Sequence, residues 1–192
     1  KEGRSPLADW FDTILEDDIL GQKSWELAEM EMVRRCAKNA MNQAQLSDED
    51  VQAMLGGDLN NQIIASSFAA RTLGIPFIGL YGACSTFVQA LVIGSALISA
   101  GYLENALCVA SSHFCTAERQ YRYPLEYGGQ RPPTAQWTAT ACGAVVLSVH
   151  KTPVKLTAAT IGRIYDPGVR DSANMGAAMA PAALSTIRAH FE

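Results

Sequence analysis

The sequence predicts an α/β fold in which helices cover both faces of a largely parallel β-sheet. Three observations support this class: short apolar runs alternate with helix-length segments, glycine or proline stands at the junctions, and 48% of the 192 residues are hydrophobic. Strands separated by helices pair in parallel through right-handed crossovers. A chain of this length and composition has enough apolar surface for one sizeable core, or for one half of a larger two-part fold.

The chain opens with a polar, irregular segment and continues with an amphipathic helix. Residues 1–23 contain Pro6, Gly21 and an acidic run, so we expect a surface segment without core residues. The helix begins at Trp25, because Ser24 is a suitable N-cap and a glutamate follows in the first turn. Its apolar face is expected to contain Trp25, Ala28, Met32, Cys36, Ala37, Ala40, Met41 and Ala44.

The central part of the chain predicts three strands that are joined by two helices. Residues 51–58 form a short buried strand, and a helix follows from about residue 61 to residue 73. Residues 77–81 form the second strand. The helix over 85–101 is apolar nearly all round, which predicts that it lies inside the protein. Asn105–Ser112 is the third strand.

The last third of the chain is less regular. Residues 114–138 show little apolar periodicity and contain two glycine or proline pairs, which predicts a long loop. The runs 144–150 and 154–164 predict an antiparallel pair of strands at one edge of the sheet. A final amphipathic helix is expected over 179–192.

Composition and charge exclude several classes of function. The net charge is −4 and no lysine-rich or arginine-rich run occurs, which argues against a nucleic-acid partner. Five cysteines without a C-x-x-C spacing argue against a disulfide framework and a zinc knuckle, and favour a reducing compartment. Residues 72–103 carry no charge, but Pro76, Gly79 and Gly82 divide them into pieces shorter than the roughly 20 apolar residues of a membrane span.

Cys84 is the first candidate for a functional residue. It follows the second strand and begins a helix, where exposed N–H groups and the helix dipole favour a thiolate or a bound anion. His113 follows the third strand, and ligands gather at the carboxyl ends of strands in open α/β sheets. The alternative for Cys84 is a small cysteine that only packs in the core, and the alternative for His113 is a hydrogen-bonded structural residue. Asp58 ends the first strand and either faces the same crevice or caps the next helix.

The second candidate is the loop over residues 118–131, which interleaves three arginines with three tyrosines. Arginine matches carboxylates and tyrosine stacks on planar rings, so the loop suits a small aromatic or carboxylated ligand. The alternative is a solvated loop whose aromatic residues pack locally or against a partner subunit.

Four stretches make the sequence recognisable. They are PFIGLYGACST from Pro76, ASSH ending at His113, TAERQYRYPLEYGGQRPPTA from Thr116, and DSANMGAAMAPAA from Asp171. Together they closely resemble the stage V sporulation protein AD family of spore-forming bacteria, over most of the chain from about residue 22. The loop and MGAAMAPAA are specific to that family, whereas GACS alone indicates the wider thiolase and ketosynthase group.

The resemblance implies a thiolase-like α/β fold of two related halves, each a mixed five-stranded sheet with helices on both faces, and a homodimer. The chain would comprise a surface excursion (1–23), an N-terminal thiolase-like half (24–165), and a linker with the first helix of a truncated second half (166–192). The opening strand would lie before Lys1. The catalytic histidines and asparagine of thiolases and ketosynthases would lie beyond Glu192.

The same resemblance implies a non-enzymatic binder of dipicolinic acid, a pyridine ring with two carboxylates, alone or as its calcium chelate. No cofactor or resident metal is implied. Its partners would be membrane proteins of the sporulation uptake complex that load the ligand into the developing spore. The chain would then be peripheral, on the cytoplasmic face of the forespore or spore inner membrane. Ligand contacts are expected from Cys84, Ser85, His113, Glu118 and Arg119.

Two other functions stay open. In a condensing enzyme, the Cys84 thiolate would take an acyl group from coenzyme A or a carrier protein. In a purely structural subunit, the chain would only dock on a membrane complex.

Overall fold

The structure is a computed structural model, and it describes residues 2–121, 138–150, 152–171 and 174–192. These residues form two compact units. The first contains the described residues up to 121 together with 138–150. The second contains residues 152–171 and 174–192.

One mixed sheet forms the centre of the first unit. In the described residues it has four strands, in the order β2-β1-β3-β4: β1 (Ala53–Gly57), β2 (Phe77–Gly79), β3 (Asn105–Ser112) and β4 (Ala141–Ser148). β1 is parallel to both of its neighbours, whereas β4 is antiparallel to β3. The three predicted parallel strands are therefore confirmed. In the register, Gly56 pairs with Gly79 and with Val109, so β1, β2 and β3 end at the same edge.

Helices cover both faces of this sheet, as the sequence predicts. α1 (Trp25–Gln43) and α2 (Ile64–Leu73) pack on one face and α3 (Thr86–Ser99) packs on the other. Met41, Met54 and Leu107 are fully buried on the first face. Burial of each such side chain contributes about 1.5–3 kcal/mol, and the sheet is thereby fixed between two apolar layers.

Local sequence signals determine where the helices begin and end. The Ser24 Oγ accepts the Leu27 N–H at 3.3 Å, which confirms the predicted N-cap of α1. α2 ends at Gly74, which adopts a left-handed φ of 74°. Before α2, Gln62 and Ile63 also have positive φ, so a short 3-10 turn (Asn61–Ile63) is separated from the helix by a kink.

The prediction that α3 lies wholly inside the protein is wrong for this structure. Its sheet-facing side is buried at Ala90 and Gly94, and a Cβ on Gly94 would lie 3.3 Å from the sulfur of Cys108. On the other side Val88 is 57% exposed and Ile93 is 36% exposed. One sheet contacts only one side of a helix, so an all-round apolar sequence is not sufficient for complete burial.

Three further predictions of secondary structure are corrected. Residues 114–121 form a helix, α4 (Phe114–Tyr121), and not a loop. Thr116, Ala117 and Glu118 are all buried, and because two of these three residues are polar, the sequence shows no apolar period there. The partner of β4 is β3, and no strand forms over residues 154–164. The run 154–164 has the composition of a strand, but composition alone does not provide a pairing partner.

The second unit contains one helix, α5 (Met175–Phe191), in its described residues. It begins four residues before the predicted start at Met179, because the Asn174 side chain accepts the Ala177 N–H at 3.2 Å. Pro181 therefore lies inside the helix. A hydrogen bond of 2.9 Å joins Thr160 to His190.

Candidate functional site

The sheet topology brings several polar side chains to one edge. Asp58 directly follows β1, Tyr81 and Gly82 follow β2, and His113 directly follows β3. Because these three strands are parallel and in register, the segments after them meet at the carboxyl edge of the sheet. This is the edge at which open α/β sheets bind ligands.

Cys84 lies on a sharp turn between β2 and α3. The turn is a single 3-10 helix (Ala83–Ser85), and Ala83 has a left-handed φ of 47°. Such a conformation costs a residue with a side chain on the order of 1–3 kcal/mol, and strained positions of this kind cluster at ligand and catalytic sites. The Cys84 thiol is exposed. The predicted position of Cys84 at a helix N-terminus is therefore confirmed, and its sulfur is accessible.

Hydrogen bonds hold this turn in place. The Gly82 N–H donates to Thr86 Oγ1 at 3.0 Å, and the Ser85 N–H donates to the Gly82 carbonyl at 3.0 Å. Ser85 Oγ also donates to the Gly82 carbonyl, at 2.8 Å, and accepts from Gln89 Nε2 at 2.9 Å. The Thr86 N–H donates to the Ala83 carbonyl in the same way, so the N–H groups of Gly82, Ser85 and Thr86 are all bonded within the turn. The positive end of the α3 dipole still favours an anion there.

His113 is fully buried and is held on both sides of its ring. Its Nε2 lies 2.7 Å from the carbonyl oxygen of Asp18, and its Nδ1 accepts the Cys115 N–H at 3.2 Å. A carbonyl oxygen only accepts, so the ring proton is on Nε2 and the lone pair is on Nδ1. His113 thus ties the N-terminal surface segment to the end of β3.

Glu118 and Arg119 follow His113 on α4. Glu118 is 1% exposed, and Thr138 Oγ1 donates to its Oε1 at 3.2 Å. Arg119 is exposed and forms an ion pair with Glu26, close to the ring of Trp25. The remaining arginines of the predicted loop, Arg122 and Arg131, lie outside the described residues.

The five predicted ligand residues form two groups. Cys84 and Ser85 lie at the start of α3, the helix that covers one face of the sheet. The side chains of β3 alternate between faces, and Val109 packs on the α1 face. Two residues further along β3, the Ser111 side chain donates to Glu29 of α1, so the residues that follow β3 continue on the α1 side. The structure thus brings His113, Glu118 and Arg119 together through α4.

A buried polar cluster lies beside this second group. Glu29, on the inner face of α1, is fully buried. Ser111 Oγ donates to its Oε1 at 2.9 Å, Asn60 Nδ2 donates to its Oε2 at 2.8 Å, and Thr116 Oγ1 lies 3.2 Å from Oε2. One carboxyl group therefore joins α1 to β3, to α4 and to the segment after β1.

Burial raises the pKa of Glu29 to about 7, and the nearby negative charge of Asp58 adds to this effect. The hydrogen bonds from Ser111, Asn60 and Thr116 act in the opposite direction. Asp58 itself accepts the N–H of Asn60 at 2.9 Å and the N–H of Ser66 at 2.7 Å. It therefore caps the first turn of α2, the role that the sequence offered as the alternative to facing the crevice.

Glu29 is a residue of the site that was not predicted from the sequence. A signal for it exists, because Glu29 has the helical spacing of Val33 and Ala37 and thus lies on the apolar face of α1. A carboxylate on such a face is rarely buried without partners. Its partners, however, come from segments 31 to 87 positions further along the chain, and sequence spacing does not reveal them.

The described helices include none that is long and apolar enough to cross a membrane. All five cysteines lie in the described residues, and none of them forms a disulfide. The described residues contain no group of three or more histidine, cysteine, aspartate or glutamate side chains arranged for a metal ion.

Comparison with known proteins identifies the family. The family model described as "Stage V sporulation protein AD (SpoVAD)" matches residues 1–192. The stage V sporulation protein AD of Bacillus subtilis (strain 168) is 44% identical over 192 residues, which are 100% of this chain and 57% of that protein. The chain thus spans little more than half the length of this curated relative.

Solved structures of condensing enzymes share the fold. The 3-oxoacyl-[acyl-carrier-protein] synthase III of Aquifex aeolicus VF5 is 21% identical with a TM-score of 0.53, and covers 72% of this chain and 41% of its own. A tetronic acid condensing enzyme is 20% identical with a TM-score of 0.55 and the same coverage. These identities show likeness of fold alone: an α/β fold that resembles part of the thiolase-like condensing enzymes.

Proposed function

The chain belongs to the stage V sporulation protein AD family, and from this premise we propose that it binds dipicolinic acid, alone or as its calcium chelate, without transforming it. The bound acid would be destined for the developing spore. The observation that carries the proposal is the strained turn at Ala83, which presents the exposed Cys84 and the start of α3 at the carboxyl edge of the sheet. A flat dianion would suit such a turn, because the helix dipole would offset part of its charge.

Within this proposal the predicted ligand residues have different roles. Cys84 and Ser85 are exposed and line the turn. Arg119 is exposed but is paired with Glu26, so a bound carboxylate would compete with Glu26 for the guanidinium. His113 and Glu118 are buried and hydrogen-bonded, and they position the start of α4.

The finer architecture and the setting are part of the same proposal. The sheet would belong to the first of two related five-stranded halves, and the protein would act as a homodimer. The chain resembles condensing enzymes in fold and covers 41% of their length, which supports its assignment to the first half of a two-half fold. Membrane proteins of the sporulation uptake complex would be its partners, at the cytoplasmic face of the forespore or spore inner membrane.

The direct test is calorimetric titration of the protein with dipicolinate, with and without Ca²⁺. Cys84→Trp should weaken binding at least tenfold, because the indole fills the turn. Thr72→Trp, which adds the same bulk at an exposed position of α2, is the matched control and should bind as the unmodified protein does. Equal affinity of the two variants would show that the ligand does not lie at Cys84, and absence of heat at millimolar ligand would refute binding itself.

A second pair of variants tests the role of Arg119. Glu26→Gln releases the guanidinium from its ion pair and should strengthen binding, whereas Arg119→Ala should weaken it. If neither variant alters the affinity, Arg119 does not contact the ligand, even where Cys84→Trp abolishes binding.

A second candidate function is acyl transfer, and the accessible Cys84 thiol on its strained turn favours it. In this function the sulfur would attack the thioester carbonyl of an acyl-CoA and release free coenzyme A. Mass spectrometry after incubation with acyl-CoA separates the two functions. An acyl adduct confined to Cys84 supports the enzyme, and an unmodified protein that binds dipicolinate supports the binder.

A further inference from the structure

Two cysteines that the sequence did not pair lie in contact in the first unit. Cys36 is on α1 and Cys142 is on β4, 106 positions apart. The Cys36 thiol donates to the carbonyl oxygen of Cys142 at 3.4 Å, and the two cysteine side chains lie within hydrogen-bonding reach of each other. Both side chains are partly exposed. The pair therefore combines proximity with access to solvent.

A cavity of about 920 Å³ gives small molecules access to this pair. It lies between α1, β4 and the N-terminal surface segment, and both Cys36 and Cys142 line it. Asp12 and Asp18 also line it. A space of this volume accommodates a tripeptide-sized molecule next to the two sulfurs.

We propose that Cys36 and Cys142 form a reactive dithiol that closes into a disulfide by exchange with a low-molecular-weight disulfide. The Cys36 thiolate attacks one sulfur of the small disulfide, forming a mixed disulfide and releasing one small thiol. The Cys142 sulfur then loses its proton to solvent, attacks the Cys36 sulfur and displaces the second small thiol. The protein loses two electrons and two protons, and the small disulfide gains them.

The chemistry of the two thiols agrees with this order of attack. The hydrogen bond from the Cys142 thiol holds the pKa of Cys36 below its usual value, which favours the thiolate at Cys36. The same hydrogen bond, together with burial, raises the pKa of Cys142, so Cys142 is protonated when Cys36 reacts. Cys36 is thus the attacking sulfur and Cys142 the resolving one.

The local packing permits closure. A disulfide needs its sulfurs at about 2.05 Å. The Cys36 side chain already contacts the backbone of residue 142, so closure requires rotation of the two side chains to bring the sulfurs together. The disulfide would link α1 to β4, and would fix one wall of the cavity.

Oxidised glutathione is the probe for the test, applied to the protein in a Cys84→Ser background that removes the exposed thiol on the turn before α3. The expected product is lighter by about 2 Da, and its proteolytic digest contains one cross-linked pair of peptides, with Cys36 and Cys142. Oxidation should also raise the Tm by about 5 °C, reversibly with a reductant. Cys115→Ser is the control and should close normally.

Single variants of the pair give the decisive comparison. Cys142→Ser should stop at the mixed disulfide, with glutathione on Cys36, whereas Cys36→Ser should react at least tenfold more slowly. The proposal is refuted if glutathione stays on Cys36 in the protein with both cysteines, or if the cross-link joins another pair. Neither result depends on whether dipicolinate binds.

Discussion

Replacing Glu29 with glutamine should change how the stability of this protein depends on pH. The pKa of Glu29 rises from 4.5 to about 7 on folding, mainly because burial disfavours its charge. Between these two values the unfolded chain releases this proton while the folded chain keeps it. The stabilising contribution of protonated Glu29 is therefore complete below pH 4.5 and is lost as the pH rises to 7, by about 3 kcal/mol in total.

Glu29→Gln cannot ionise, so this contribution disappears from its pH profile. Its amide can still donate to Ser111 and accept from Asn60, so the variant should fold. The free energy of unfolding of the variant, relative to the unmodified protein, should rise by about 3 kcal/mol between pH 4.5 and pH 8. Urea denaturation at a series of pH values, with m held constant, measures this difference.

Glu31→Gln on the same helix is the matched control. The pKa of Glu31 is lowered to about 2, chiefly by its hydrogen bond to Arg34, so it titrates below pH 4.5. The free energy of unfolding of Glu31→Gln, relative to that of the unmodified protein, should not change between pH 5 and pH 8. If Glu29→Gln is equally flat, Glu29 is already ionised throughout this range, and the argument from its burial is wrong.

Three other substitutions or reactions test the fold. Gly56→Ala should prevent folding, because its Cβ would overlap a carbonyl oxygen of β3 and its φ is 150°, whereas Gly143→Ala, with no atom within 4 Å, should leave the urea midpoint nearly unchanged. Ser24→Ala should lower the free energy of unfolding by about 1 kcal/mol through loss of the α1 cap, as measured in urea. Alkylation by iodoacetamide should modify exposed Cys84 in the folded protein and reach Cys108 only on unfolding, because burial raises the pKa of Cys108 to about 12; equal labelling rates would contradict the packing of the core.

Much of the fold could be predicted because it follows from short-range patterns. Asn105–Ser112 is a strand with the predicted bounds, and the predicted N-cap at Ser24 is confirmed. The apolar period, the capping residues and the glycines at helix ends act within a few residues, so they can be recognised in the sequence before the fold is known. The prediction of a strand over 154–164 was wrong, because a strand also needs a pairing partner, which the composition of the run does not reveal.

The candidate site was predictable only in part. The position of Cys84 at the start of a helix follows from the order of glycine and apolar residues around it, and the structure agrees. The role of His113 does not follow in this way, because its partner is the carbonyl of Asp18, 95 positions earlier. Glu29 was missed for the same reason, since its burial and its pKa depend on three separate segments.

The sequence by itself determined the class of the fold, the three parallel strands joined by helices, the family, and the thiol on the turn after the second strand. The tertiary structure alone decided which polar groups are buried together, that Glu29 titrates near neutral pH, and that Cys36 meets Cys142. Local signals encode backbone conformation, whereas desolvation and long-range contacts arise only when distant segments pack against each other.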